Sequence, residues 1–140
     1  MTPEELRRRF AAARVARLAT ADASGRPHLV PVVFALAGET IYSAVDAKPK
    51  RSTALRRLAN VAANPRVAVL VDHYTEDWRE LWWVRADGVG RVLDPAAAEA
   101  RRGIAALVDR YPRHYADDPP GGPVLAVDVT RWSGWSAAGD

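Results

Sequence analysis

The sequence predicts a mainly β (α+β) fold, a small antiparallel barrel of about six strands carrying peripheral helices. Three observations predict it: two hairpin signals in succession near the start, several later strand-type apolar runs, and three helical patterns set between strands. No internal repeat and no linker divides the 140 residues, so residues 1–140 are expected to form a single domain.

Pro3, followed by Glu4 and Glu5, opens a first helix, and Leu6, Phe10 and Ala13 give it an apolar stripe over residues 3 to 13. From Val15 the period shortens. Residues 15–20 read as a strand ending in the turn cluster Asp22-Ala23-Ser24-Gly25. Residues 28–36 read as a second strand interrupted by Pro31, which has no N–H for a ladder and implies an edge, a bulge or an opening. Gly38-Glu39 turns into a third strand, Thr40 to Val45. Ser52 or Thr53 can then cap a helix with Leu55, Leu58, Ala59 and Ala62 on one face, stopped by Asn64-Pro65. Residues 67–71 are a buried strand by composition, and 74–80 a polar connection. Residues 81–93 form a long strand bent near Gly88 and Gly90. Asp94-Pro95 opens a third helix to about Arg110, a Pro/Gly/Asp-rich loop spans 112–123, and a last strand runs from Val124 to Val129 before a tail.

Composition removes several classes of function. With no cysteine there is no disulfide, thiolate chemistry or iron–sulfur site, and His28, His73 and His114 form no metal-type pair. The content of 49% hydrophobic and 26% charged residues is that of a folded domain rather than a disordered chain. No apolar run approaches the roughly 20 residues of a membrane span, and the charged start MTPEELRRRF is unlike a secretory signal, so a cytoplasmic protein without membrane association is expected. The net charge of +3 comes from scattered arginines rather than a basic stripe, and no nucleic-acid partner is expected.

Catalytic motifs are few. No GxSxG, GxGxxG or P-loop pattern is present, and the serines have no base partner visible in sequence. Asp87 and Asp128 are acids that spacing does not require to pair, and acids of this kind are usually solvated or ion-paired surface groups. A lysine segment is more informative. Lys48 and Lys50 are the only lysines among the 20 basic residues and, with Arg51, precede the helix beginning near Ser52. Cations at a helix N-terminus are disfavoured by roughly 0.3–1 kcal/mol each. Their concentration there makes sense if a phosphate meets backbone N–H groups, Ser/Thr hydroxyls and cations together; the plain alternative is a solvated basic loop. Backbone groups freed around Pro31 could face a planar heterocycle, against the plainer reading of an edge strand. Of the five tryptophans, adjacent Trp82 and Trp83 must point to opposite faces of one strand, so one can join the core while the other meets an interface or ligand. Trp132 and Trp135 could cover a neighbouring subunit's groove, and ordinary packing is the alternative for each Trp.

Taken together, ARLATADASGRPHLVPVVFAL at 16–36, TIYSAVDAKPKRSTALRRLANVAANPRVAVLVD at 40–72 and WWVRADGVGRVL at 82–93 resemble the pyridoxamine-phosphate-oxidase-like flavin-binding split barrels, and within them the coenzyme F420-dependent oxidoreductases. The resemblance covers nearly the whole chain and implies a six-stranded antiparallel split β-barrel, a homodimer, and a cofactor at the subunit interface. It implies that Lys50, Arg51 and Lys48 grip the cofactor phosphate. Pro31, Val32 and Val33 would line the ring system, with Ser43 and Ala44 on the next strand. Trp83 and Arg85 would stand on the ring or phosphate side, and Trp132 and Trp135 would approach from the partner subunit. Flavin-type members more often carry an Arg-rich strand and an S-R-K motif, whereas K-P-K-R-S here favours the deazaflavin F420 over FMN.

The activity so implied is hydride transfer between reduced F420 and an organic acceptor, with FMN as the alternative cofactor. Tyr42 is expected to be packed rather than catalytic. A non-catalytic haem- or cofactor-binding barrel, with His28 or His73 on iron, is the competing expectation. The sequence identifies no catalytic residue, and no resident metal is expected.

Overall fold

A computed structural model describes residues 1–45 and 52–139. Helix α1 (Pro3–Ala12) begins where expected, with the Thr2 hydroxyl accepting the Glu5 N–H at 3.1 Å and Pro3 in the first turn. Strands β1 (Ala16–Ala21), β2 (Pro27–Val32), β3 (Ala35–Ala37) and β4 (Thr40–Ala44) follow, then α2 (Ser52–Ala63), β5 (Arg66–His73) and β6 (Trp82–Leu93). Helix α3 (Ala98–Arg110), a short α4 (Pro112–Tyr115) and β7 (Val124–Ser136) complete the chain. The connection 74–80 ends in a turn of 3-10 helix at Trp78–Glu80.

All seven strands lie in one antiparallel sheet, ordered β2-β1-β5-β6-β7-β4-β3. Its two edges, β2 and β3, are consecutive in sequence and separated only by Val33 and Phe34. Three peptide steps reach at most about 11 Å, so the two edges must lie side by side and the sheet must curl. No ladder joins them among the described residues. The result is a barrel with a split. Seven strands replace the six expected, because the run 28–36 divides into β2 and β3.

Pro31 is not the cause of that division. It sits inside β2, opposite Arg17 of β1, where an edge strand loses no ladder bond by lacking an N–H. The interruption comes two residues later. There the buried Phe34 N–H donates to the Tyr111 hydroxyl at 3.2 Å, and that hydroxyl donates to the Phe34 carbonyl at 2.9 Å. A side chain from the end of α3 thus replaces the missing ladder, as buried backbone groups require.

Two cores result. Leu18, Phe34, Ile41, Val69, Val71, Val84 and Val127 fill the barrel, with Phe10 of α1 and Leu58 and Val61 of α2 plugging it. Outside it, Tyr42, Ala44, Val124 and Ala126 pack on Ala100, Leu107 and Tyr111 of α3 and its end. Strands β4 and β7 are therefore covered on both faces where they meet, which explains the unbroken burial of Ile41 to Ala44 and of Val124 to Val127. The bend predicted near Gly88 is a register shift at Asp87/Gly88. A Cβ there would lie 2.5 Å from the Asp128 carbonyl oxygen, so only glycine fits the close approach. The predicted tail after Val129 is instead part of β7, pairing through Ser136 with β6 as far as Trp82.

Candidate functional site

Strand register gathers several of the expected site residues on one outer sheet face. Pro31 lies opposite Arg17, Arg17 opposite Leu70, Leu70 opposite Arg85, and Arg85 opposite Ser133. This row crosses five strands. Beside it run Leu29, Ala19, Ala68, Asp87 and Arg131 on one side, and Asp72, Trp83 and Trp135 on the other. Their chain neighbours Leu18, Val69, Val84 and Ala86 are buried, so alternation turns the whole set outward. The face combines exposed apolar area, with Leu29 67% and Trp135 49% exposed, and half-exposed charge.

At its centre two polar atoms lack partners. Ser133 Oγ is buried and makes no hydrogen bond among the described residues. Arg85 Nε is likewise buried and unbonded, for although it pairs with Asp87 Oδ1 at 3.1 Å its N–H is not aimed at the carboxylate. The Arg85 guanidinium lies 5.9 Å from the Trp83 ring centre. A planar, anionic group that shifted the Arg85 side chain could stack on Trp83 and accept from Arg85 and Ser133.

The structure brings Pro31, Trp83, Arg85 and Trp135 together on this face and places the other expected residues elsewhere. Val32 faces the barrel core, and Val33 packs toward the α3 core. Ser43 and Ala44 are buried on opposite faces of β4. Trp132 is turned inward: its ring meets Phe10 edge-on at 5.2 Å and its Nε1–H donates to Glu39 at 3.0 Å, beneath the Arg7 guanidinium. Trp132 is thus engaged by its own chain. The basic cluster Lys48, Lys50 and Arg51 lies outside the described residues. Arg17, Leu70 and Ser133 were not singled out from sequence, although strand alternation places them in phase with Pro31 and Arg85.

Asp87 and Asp128 do not form an acid pair. Asp87 faces Arg85, while Asp128 belongs to a second cluster in which Arg91 binds both Asp128 at 2.7 Å and Glu99 at 2.8 Å. The Tyr42 hydroxyl donates to Glu99 at 2.9 Å, and burial first, then that hydrogen bond, pushes its own ionisation upward. Tyr42 is packed, as expected. This cluster ties α3 to β4, β6 and β7. The Arg91 guanidinium, and secondarily Tyr42, hold the Glu99 carboxyl down to about 2 from its ordinary 4.5. A carboxylate depressed in this way stabilises the fold above its unfolded pKa and loses that contribution as pH falls through the folded one. Wild-type stability is therefore expected to drop between about pH 4.5 and pH 2, and Glu99→Gln to flatten that limb. Urea midpoints across the range check this; parallel acid limbs in both proteins would refute it.

Among the described residues no group of three His, Asp or Glu could hold a metal. His28 Nδ1 is buried without a partner, and His73 stacks on Trp82 with ring centres 6.1 Å apart. No described helix is long and apolar enough to cross a membrane.

A rolled antiparallel sheet split between β2 and β3, with an exposed mixed face over five strands, defines a split barrel. The sequence matches the pyridoxamine 5'-phosphate oxidase family over residues 2–136, and the chain belongs to that family. Solved structures share the fold. A FAD-binding protein of Mesorhizobium loti is 24% identical, with 96% of this chain and 94% of that one covered and a TM-score of 0.73. A conserved hypothetical protein of Mycobacterium tuberculosis is 22% identical, covering 98% and 86%, with a TM-score of 0.75. The haem storage protein HutZ of Vibrio cholerae is 15% identical, covering 96% and 93%, with a TM-score of 0.72. No curated protein matches the chain.

Proposed function

We propose that this protein is a cytoplasmic oxidoreductase that moves a hydride between reduced coenzyme F420 and a small organic acceptor. The observation that carries the reading is the outer face, where Trp83 offers a stacking surface beside the unbonded Arg85 Nε and Ser133 Oγ. Family membership over nearly the whole chain supports a flavin-type group there. When bound, the deazaflavin supplies the hydride chemistry. The chain's own task is to bind and orient the ring on Trp83, to meet its polar edge with Arg85 and Ser133, and to exclude water. The phosphate grip falls to Lys48, Lys50 and Arg51. Exposed Leu29 and Trp135 on the same face suit coverage by a second copy, which makes the working unit a homodimer with the cofactor between protomers.

Equilibrium titration with F420 and with FMN tests the reading. F420 is expected to bind, and Arg85→Ala and Lys50→Ala each to weaken it about tenfold with the fold intact, as loss of a charge-assisted bond implies. Tight FMN binding without F420 binding would replace the deazaflavin by FMN, the alternative cofactor. Light scattering that returned a monomer would remove the interface.

A second reading, a haem-binding barrel, is favoured by one observation, the unpartnered buried Nδ1 of His28. It predicts a Soret band on haem addition that His28→Ala abolishes, and no F420 binding.

A further inference from the structure

A groove of about 550 Å³ lies between the second half of α1 and the end of the sheet at β1, β5 and β6. Arg8, Arg9, Arg14 and Arg17 line it, with His73 and Trp82 as its aromatic wall and Asp72 as its one lining acid. We propose that this groove binds an elongated small molecule carrying two or more anionic groups, carboxylates or phosphates. The inference does not depend on the redox reading.

The argument lies in how these guanidinium groups are employed. Several ion pairs outside the groove are hydrogen-bonded: Arg7 with Glu39, Arg79 with Asp77 at 2.9–3.0 Å, and Arg91 with Glu99 and Asp128 at 2.7–2.9 Å. In the groove they are not. Arg8 and Arg9 share the single carboxylate of Glu5 at 3.6 and 4.0 Å, and Arg17 stands 3.5 Å from Asp72. Arg14 has no carboxylate partner among the described residues; it stacks on Tyr111 at 4.7 Å and reaches only the Arg110 carbonyl, at 3.4 Å. Four cations thus share two acids, all at distances longer than a charge-assisted hydrogen bond.

A helix C-terminus is an ordinary reason for cations to gather, because its last carbonyls carry partial negative charge. Here that need is met by another residue. Arg110 of α3 donates to the carbonyls of Ala11 and Ala13 at the end of α1. The groove arginines therefore retain donors that neither the helix end nor the nearby acids use, and each guanidinium offers five in a planar fork. The volume is that of a small-molecule site rather than a macromolecular interface. Its lining spreads four guanidinium groups from Arg8 to Arg17 past Ala12 and Ala13, which suits a chain with repeated charges better than a compact ion. Arg9 covers Trp82 at 5.1 Å, so occupancy should change the emission of that indole.

Triglutamate and inorganic tripolyphosphate are the probes, titrated by calorimetry and tryptophan fluorescence at low and high salt. At least one is expected to bind once per chain with affinity falling as salt rises. The Arg8→Ala/Arg14→Ala double variant should weaken it about tenfold or more, while Arg66→Ala/Arg101→Ala, an equal change in charge at residues that do not line the groove, leaves it unchanged. Preference for the peptide marks a carboxylate ligand and preference for tripolyphosphate a phosphate ligand. Absence of binding by both, or equal losses in Arg66→Ala/Arg101→Ala and Arg8→Ala/Arg14→Ala, would overturn the assignment. If the Arg8→Ala/Arg14→Ala variant unfolds, Arg8→Ala alone serves, since Arg8 is 70% exposed and holds only its distant contact to Glu5. Failure of F420 to bind the same preparation leaves this result untouched.

Discussion

Phe34→Ala is expected to lower the free energy of unfolding by about 3–5 kcal/mol, the range for truncating a fully buried aromatic side chain. Phe34 is 0% exposed and occupies the two-residue passage between the edge strands β2 and β3. Its ring lies 4.9 Å from that of Phe10, which in turn meets Trp132 at 5.2 Å, and the Arg110 guanidinium covers it at 4.9 Å. Two elements would lose a shared contact at once, namely α1 through Phe10 and α3 through Arg110. Because the surrounding backbone is held by ladders and by Tyr111, the void has little means of collapsing. Urea unfolding at neutral pH measures the change. A loss below about 1 kcal/mol would show that the passage repacks freely and that Phe34 does not seal the barrel.

Tyr111→Phe removes one oxygen and is expected to cost about 2–4 kcal/mol, since each buried backbone group left without a partner costs about 1–3 kcal/mol. The hydroxyl accepts from the Phe34 N–H, donates to the Phe34 carbonyl, and has the Arg14 carbonyl within 3.1 Å. Tyr111 is 5% exposed, so water has poor access to replace it. The ring itself would remain, between Arg14 at 4.7 Å and Arg110 at 5.4 Å. The loss should therefore be polar rather than steric, and amide exchange at Phe34 should accelerate with the fall in stability. An unchanged exchange rate would mean that Phe34 finds another partner.

Much of this fold was legible in the sequence because its signals are local. The first hairpin carries its Asp-Ala-Ser-Gly turn, where Asp22 Oδ1 accepts the backbone N–H groups of Ser24 and Arg26. Helix α2 stops before Asn64-Pro65, and Gly88 marks the bulge. The seventh strand was not legible, because the group that ends β2 stands 77 residues further along the chain. The continuation of β7 was obscured by composition: Thr130 to Ser136 mixes Arg, Ser, Gly and Trp. Gly134 there lies against Leu6, a tertiary contact that local propensity does not carry. Of the candidate site, Trp83 and Arg85 could be placed by alternation. The same rule puts Trp132 and Trp135, three residues apart, on opposite faces of one strand, and the structure shows Trp132 inside. Arg17, Leu70 and Ser133 needed the register across strands, which no single segment contains.

The seam between β2 and β3 has a mechanical consequence. Everywhere else around the wall, adjacent strands are joined by rows of amide bonds that break only together. Along this one line the cylinder is fastened by a phenol, a few rings and the connecting peptide. Thermal breathing will begin at that fastening, at a smaller free energy than global unfolding. The wall can therefore widen by swinging β2 outward as a hinged panel, without melting the remaining strands.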